Sequence, residues 1–134
     1  MQINSEETIR RILDECRTIA VVGLSSDTWR PSNNVSAYMR RTGYRVIPVN
    51  PNETEVFGET AYPDLAAVPE KIELVDVFRR SDEAGKAVDE AIAVGAKAVW
   101  LQLGVGHEGA EKRASEAGLL VVSELCIMVV HRGL

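Results

Sequence analysis

One segment limits the possible folds of this chain more than any other. Thr18-Ile19-Ala20-Val21-Val22-Gly23-Leu24-Ser25 is an apolar run stopped by glycine, and a helix start at Ser32-Asn33-Asn34 follows it. The run reads as a buried strand. Delivering such a strand into a glycine-containing loop and then a helix N-terminus gathers backbone N–H donors and a positive dipole end at one point. That point is a seat for phosphate, and a nucleotide-like anion is the expected ligand.

The rest of the chain repeats this alternation. Asn4 followed by Glu7 fits a capping box, and Ile9, Ile12, Leu13 and Cys16 recur at helical spacing, which predicts an amphipathic helix over residues 5–16. After the strand at 18–24, Ser32 is expected to cap a helix that turns Val35, Tyr38, Met39 and Thr42 to one face and stops at Gly43. Residues 44–49 form a second strand, and Pro48 inside it predicts pairing that weakens toward the strand's end. Prolines, acids and turn formers from Asn50 to Lys71 predict a long connection with one short helix near 64–68, and such connections often carry function. Regularity returns with a strand at 74–78 and a helix that turns Ala84, Ala87, Val88, Ala91 and Ile92 inward and ends at Gly95. A strand at 97–103, the turn Gly104-Val105-Gly106, a helix around 108–117 and a strand at 119–122 follow. The apolar end, Cys126 to His131, reads as a short sixth strand or a packed tail. The pattern is that of an α/β protein, a doubly wound, mainly parallel sheet of five to six strands with helices on both faces.

With 134 residues, 46% of them hydrophobic, the chain suits one domain spanning 1–134 around one core. A formal net charge of −5 argues against an extended nucleic-acid surface, so the expected partner is a small nucleotide ligand in a local basic pocket. No apolar stretch approaches the roughly 20 residues of a membrane span, and the first residues lack the order of a signal peptide, so the expected location is cytoplasmic. Cys16 and Cys126 lie far apart without metal-ligand spacing, which points to reduced thiols and no metal site.

In open parallel sheets the ligand sits beyond the carboxyl ends of the strands, where strand order reverses. Those ends are Gly23-Leu24-Ser25, Val49-Asn50-Pro51, Phe78-Arg79-Arg80 and Gln102-Leu103-Gly104. An ordinary NAD loop needs G-x-G-x-x-G and an acid at the end of the second strand. Here Gly23 stands alone, with Ser25 and Ser26 after it, and Asn50 ends the second strand; a phosphate-loop lysine is absent too. A plain NAD-type dehydrogenase is therefore not expected.

The segments Ile19–Ser25, Arg30-Pro31-Ser32, Gly43–Pro51, Asp76–Arg80 and Lys97–Gly104 together resemble the small stand-alone CoA-binding proteins. These are similar to the N-terminal CoA-binding domain of the succinyl-CoA synthetase alpha subunit. The resemblance runs over residues 17–131, with its motifs in order, and implies a Rossmann-like fold that binds coenzyme A or an acyl-CoA. Carried over motif by motif, it implies Gly23, Leu24, Ser25, Arg30 and Ser32 near the pyrophosphate. It implies Asn50 and Pro51 near adenosine, and Phe78, Arg79, Gln102 and Gly104 along the adenine or pantetheine path. Arg79 and Arg80 precede a helix, where a cation is unfavourable to the dipole, so one of the two is expected to face an anion and the other water.

The chemistry of the ligand agrees with this implication. CoA carries a pyrophosphate and a ribose 3′-phosphate, so its site needs N–H donors, cations and no acid facing the 3′-phosphate. Asn50 at the strand end meets the last condition, and Glu53, Glu55 and Glu59 read as a solvated loop face.

Trp29 reads as a lid packed on the domain rather than a stacking partner for adenine, and Trp100 as core. Cys126 reads as packing, although near a CoA thiol it can form a mixed disulfide. His107 and His131 lack triad-like neighbours in sequence, so no catalytic residue is expected. Acyl-CoA synthetases resembling this chain need further domains for phosphoryl transfer, and 134 residues leave no room for them. A function of another class is a small redox enzyme using NAD(P) or CoA disulfide, which requires Cys126 or His107 paired with a base at the pocket mouth.

Overall fold

The computed structural model describes residues 3–134. Helix α1 (Glu6–Glu15) is capped by Ser5, whose hydroxyl oxygen accepts from the Thr8 amide at 3.1 Å. Asn4 is not the cap. It takes a left-handed φ of 62°, which asparagine tolerates, and its side chain accepts from the Ser123 amide at 2.8 Å and donates to the Ser123 carbonyl at 2.9 Å. The residue read as a local helix signal is thus a long-range staple.

Strand β1 (Thr18–Val22) leads through Gly23 and a loop into α2 (Pro31–Arg41). Proline is suited to the first helical position, where the missing N–H has no intrahelical acceptor, so the helix begins at Pro31 with Arg30 in the cap position. Ser32 is therefore inside the first turn and not its cap. Strand β2 (Arg45–Val49) stays in parallel register with β1 through Val21–Pro48 and Val22–Val49. Pro48 does not weaken the pairing, because β2 is an edge strand and Pro48 turns its backbone outward, where its carbonyl accepts from the Tyr62 amide at 3.0 Å.

The long connection contains an antiparallel pair, β3 (Glu55–Val56) and β4 (Glu59–Thr60), turned by Phe57 and Gly58 at φ of 58° and 74°. Two positive φ values in succession are what a tight hairpin turn requires. A 3₁₀ turn at Leu65–Ala67, capped by Asp64, occupies the place where a short helix is predicted. Then come β5 (Leu74–Val77), α3 (Ser81–Ala93), β6 (Ala98–Leu101), α4 (Glu108–Glu116), β7 (Leu120–Val122) and α5 (Ile127–Arg132). The apolar end is helix α5 and not a sixth strand. The outer edge of β7 is already bridged by Ile3 at Val121, and that of β2 by Tyr62 at Val49.

The main sheet is parallel throughout, in the order β2-β1-β5-β6-β7. The chain leaves β1 for β2 on one side and returns to β5 on the other, so the switch point lies between β1 and β5. Because side chains alternate along a strand, Ile19, Val21, Leu74 and Trp100 enter one core with α1, α2 and α5. Ala20, Val22, Val75, Val77, Val99 and Leu101 enter the other with α3 and α4. Trp100 is fully buried, and its indole N–H donates to the Leu125 carbonyl at 2.8 Å. Trp29 is 91% exposed and is not a packed lid. No described helix is long and apolar enough to cross a membrane.

Candidate functional site

A cleft of about 720 Å³ opens over the carboxyl ends of β1, β2, β5 and β6. Gly23, Ser25, Arg30 and Ser32 line it from the first loop and the start of α2, Asn50 from the end of β2, Phe78, Arg79 and Arg80 from β5, and Gln102 from β6. Three residues named from sequence fall outside this lining. Leu24 is fully buried; Pro51 lines an adjoining groove with Asn52, Asp64 and Arg79; Gly104 sits beyond β6 at φ of 81°, its carbonyl 3.4 Å from the Ser81 hydroxyl. The structure adds Asn52, Glu53 and Val105, which sequence reasoning did not place there, together with Leu103 of the β6 end and Cys126.

Gly23 is what lets β1 and β5 close at the switch point. Its φ is 91°, its amide donates to the Val49 carbonyl at 2.8 Å, and a Cβ on it would lie 2.2 Å from the Phe78 carbonyl oxygen. The loop beyond it is pinned from several directions. The Asn50 side chain donates to the Leu24 carbonyl at 3.1 Å, the Asn33 side chain to the Ser25 carbonyl at 2.9 Å, and the Ser25 amide to the Ser32 hydroxyl at 3.1 Å. Ser32 and Asn33 are buried, so the first turn of α2 and the loop form one hydrogen-bonded unit.

This pinning changes the source of the site's donors. The amides of Ser25, Ser26, Asp27 and Trp29 are all taken by side chains of the protein: Ser32, Glu53, Ser25 and Asp27 respectively. Of the loop amides from Gly23 to Arg30, those of Leu24 and Thr28 alone have no protein acceptor among the described residues, so the cradle expected from sequence is largely filled by the protein itself. Among the described residues the Ser32 amide, in the first turn of α2, has no protein acceptor, and Arg30 and Arg79 form no ion pair. Arg80 grips Asp82 at 2.6 Å and is 76% exposed in its side chain, so Arg79 is the half-buried cation of the pair left available to an anion.

Of the three loop acids, one departs from the expected solvated face. Glu55 is exposed and Glu59 pairs with Arg45. Glu53, by contrast, is half-buried in the cleft, where its Oε2 accepts from the Ser26 amide at 2.8 Å and the Ser26 hydroxyl at 3.0 Å. An acid does reach the cleft beside Asn50, three positions later in the chain than sequence patterns look for it.

Beneath the cleft floor lies Asp76 on β5, fully buried, with the Gln102 side-chain amide donating to it. Gln102 in turn accepts from the Ile127 amide of α5 at 3.3 Å. With no cation beside it, Asp76 has its carboxyl pushed up to about 7 by burial, against the opposing effect of the Gln102 hydrogen bond.

Both histidines have structural partners. The His107 Nδ1 accepts from the Ala110 amide at 3.1 Å as the cap of α4, and His131 Nδ1 lies 2.7 Å from the Tyr38 hydroxyl. Neither lines the cleft with Cys126, so the nucleophile–base pair that a redox enzyme of this class would need is not assembled among the described residues. Cys16 is buried at the end of α1, and burial pushes its thiol up to about 11. No cluster of three or more metal-ligating side chains occurs among the described residues.

Known proteins resemble this chain in sequence and fold. The chain is 39% identical over 131 residues to the uncharacterized protein YneT of Bacillus subtilis, covering 98% of this chain and 97% of that one. A hypothetical protein from Pyrococcus horikoshii OT3, whose structure is solved, superposes with a TM-score of 0.93 at 39% identity, covering 100% of this chain and 96% of that one. ADP-forming acetate-CoA ligase I of Archaeoglobus fulgidus is 28% identical over 109 residues, which cover 81% of this chain and 16% of that enzyme. The family model described as CoA binding domain matches residues 17–132, and the chain therefore belongs to that CoA-binding family.

Proposed function

We propose that the cleft binds coenzyme A or an acyl-CoA, without forming a covalent bond to it. The pyrophosphate lies over the Ser32 amide and the Ser25 hydroxyl, with Arg30 and Arg79 as its counter-charges. Adenosine extends toward Asn50 and the loop after β2, and pantetheine passes Phe78 and Gln102. Leu24, Pro51 and Gly104 shape the surrounding loops rather than touch the ligand.

The observation that carries this reading is the half-buried Arg79, unpaired among the described residues, at the mouth of the switch point and lining the same cleft as the start of α2. A cation left without a partner beside helix N–H donors is the chemistry that a pyrophosphate demands. Membership of the CoA-binding family supports a CoA-type compound as the carrier of that pyrophosphate. Chemical denaturation with CoA, acetyl-CoA, dephospho-CoA, ATP and NAD in parallel tests it. A CoA-type compound at about 100 times its dissociation constant adds roughly 2.7 kcal/mol to the unfolding free energy. Stabilisation by NAD or ATP with none from any CoA-type compound would overturn the reading.

A further inference from the structure

Resting on the CoA-type ligand proposed above, we infer that Glu53 makes this cleft a reader of an unphosphorylated ribose, so that dephospho-CoA binds more tightly than CoA. Strand order places the loop after β2 directly beside the first loop, and in such sheets the end of that neighbouring strand meets the ribose next to the pyrophosphate. Glu53 occupies that place. Its Oε2 is fixed by both donors of Ser26, while among the described residues Oε1 has no protein donor. A carboxylate held by one oxygen and open at the other accepts a ribose hydroxyl.

The same carboxylate repels a phosphate. CoA differs from dephospho-CoA by one ribose 3′-phosphate, which would bring a dianion against Glu53 in a partly desolvated cleft. Among the described residues Glu53 has no ion-pair partner to neutralise it. Its lining neighbours from the same loop are the uncharged Asn50 and Asn52. The adjoining groove beside Pro51 and Asn52 is bordered by two cations, Lys86 and Arg79, of which Arg79 also lines the cleft with Glu53, so the test must include Arg79.

Calorimetric titration of the wild type, Glu53→Gln and Arg79→Ala with CoA and dephospho-CoA decides the matter, each variant first shown to have a wild-type urea midpoint. The wild type is expected to bind dephospho-CoA at least about tenfold more tightly than CoA, a gap that narrows as salt screens the repulsion. Glu53→Gln keeps an oxygen for Ser26 and removes the charge, so CoA binding strengthens and the gap closes. Arg79→Ala weakens both ligands by the same factor. Equal or tighter binding of CoA by the wild type overturns the inference, as does a Glu53→Gln variant that strengthens both ligands alike, which would make Glu53 a mere place-holder for phosphate. Loss of CoA binding alone in Arg79→Ala also overturns it, by assigning the 3′-phosphate to Arg79. Saturable but unselective binding defeats only this inference, whereas no binding of either compound defeats the CoA-type reading with it.

Discussion

Gly23 combines two separate demands, a φ of 91° and a Phe78 carbonyl oxygen 2.2 Å from where a Cβ would stand. Gly104 has only the first, a φ of 81° with open space around it. Gly104→Ala is therefore expected to cost about 1–2 kcal/mol, the strain of a left-handed alanine. Gly23→Ala must also push β1 and β5 apart, and about 3 kcal/mol or more is expected. Urea unfolding of the two variants checks the order, and equal losses would contradict the close approach. At this scale Gly23 was legible in the sequence, because a glycine that ends a buried apolar run marks a sharp turn out of the sheet. The fate of the loop amides was not, since it depends on Ser32 and Glu53, which only the folded chain brings to Ser25 and Ser26.

Asp76, Gln102 and Ile127 join β5, β6 and α5 through one buried polar chain. A carboxyl whose folded value is raised to about 7 from an unfolded value near 3.9 stays protonated in the native state while the unfolded chain has already released its proton. The native state then binds more protons, so stability falls as pH rises from about 4 to about 7, by about 1 kcal/mol per pH unit from this group, and levels off above. Asp76→Asn keeps an oxygen for Gln102 and removes the titration. The variant's stability relative to wild type is expected to rise between pH 5 and pH 7, read from urea unfolding at each pH. A constant difference would show that Asp76 ionises normally. Helices with a sustained period, α3 above all, and the glycine-stopped apolar run of β1 were legible in the sequence. The β3–β4 pair was not, because two-residue strands carry no period, and α5 was not, because a short apolar run such as Cys126 to His131 suits strand and helix equally.

For the whole molecule, strand order decides where function can reside. The order β2-β1-β5-β6-β7 brings four chain-distant loops to one edge, and the alternation of strands and helices was enough to anticipate that edge from sequence. Which residues converge on the cleft was only partly legible. Gly23, Ser25, Asn50, Arg79 and Gln102 end or follow strands, whereas Glu53 and Cys126 enter from a long connection and a tail whose course no local signal gives. A second depression, between α3 and α4, is lined by Asp89, His107 and Arg113 and supplies a control surface. Binding at the switch point is tested most directly by an amide chemical-shift titration of the intact chain with CoA and dephospho-CoA. Saturable shifts are expected at Gly23, Ser32, Phe78, Arg79 and Gln102, with the α3–α4 depression unmoved. Saturable shifts confined to His107, Arg113 and their neighbours, or none with either compound, would refute a CoA-type ligand at the switch point.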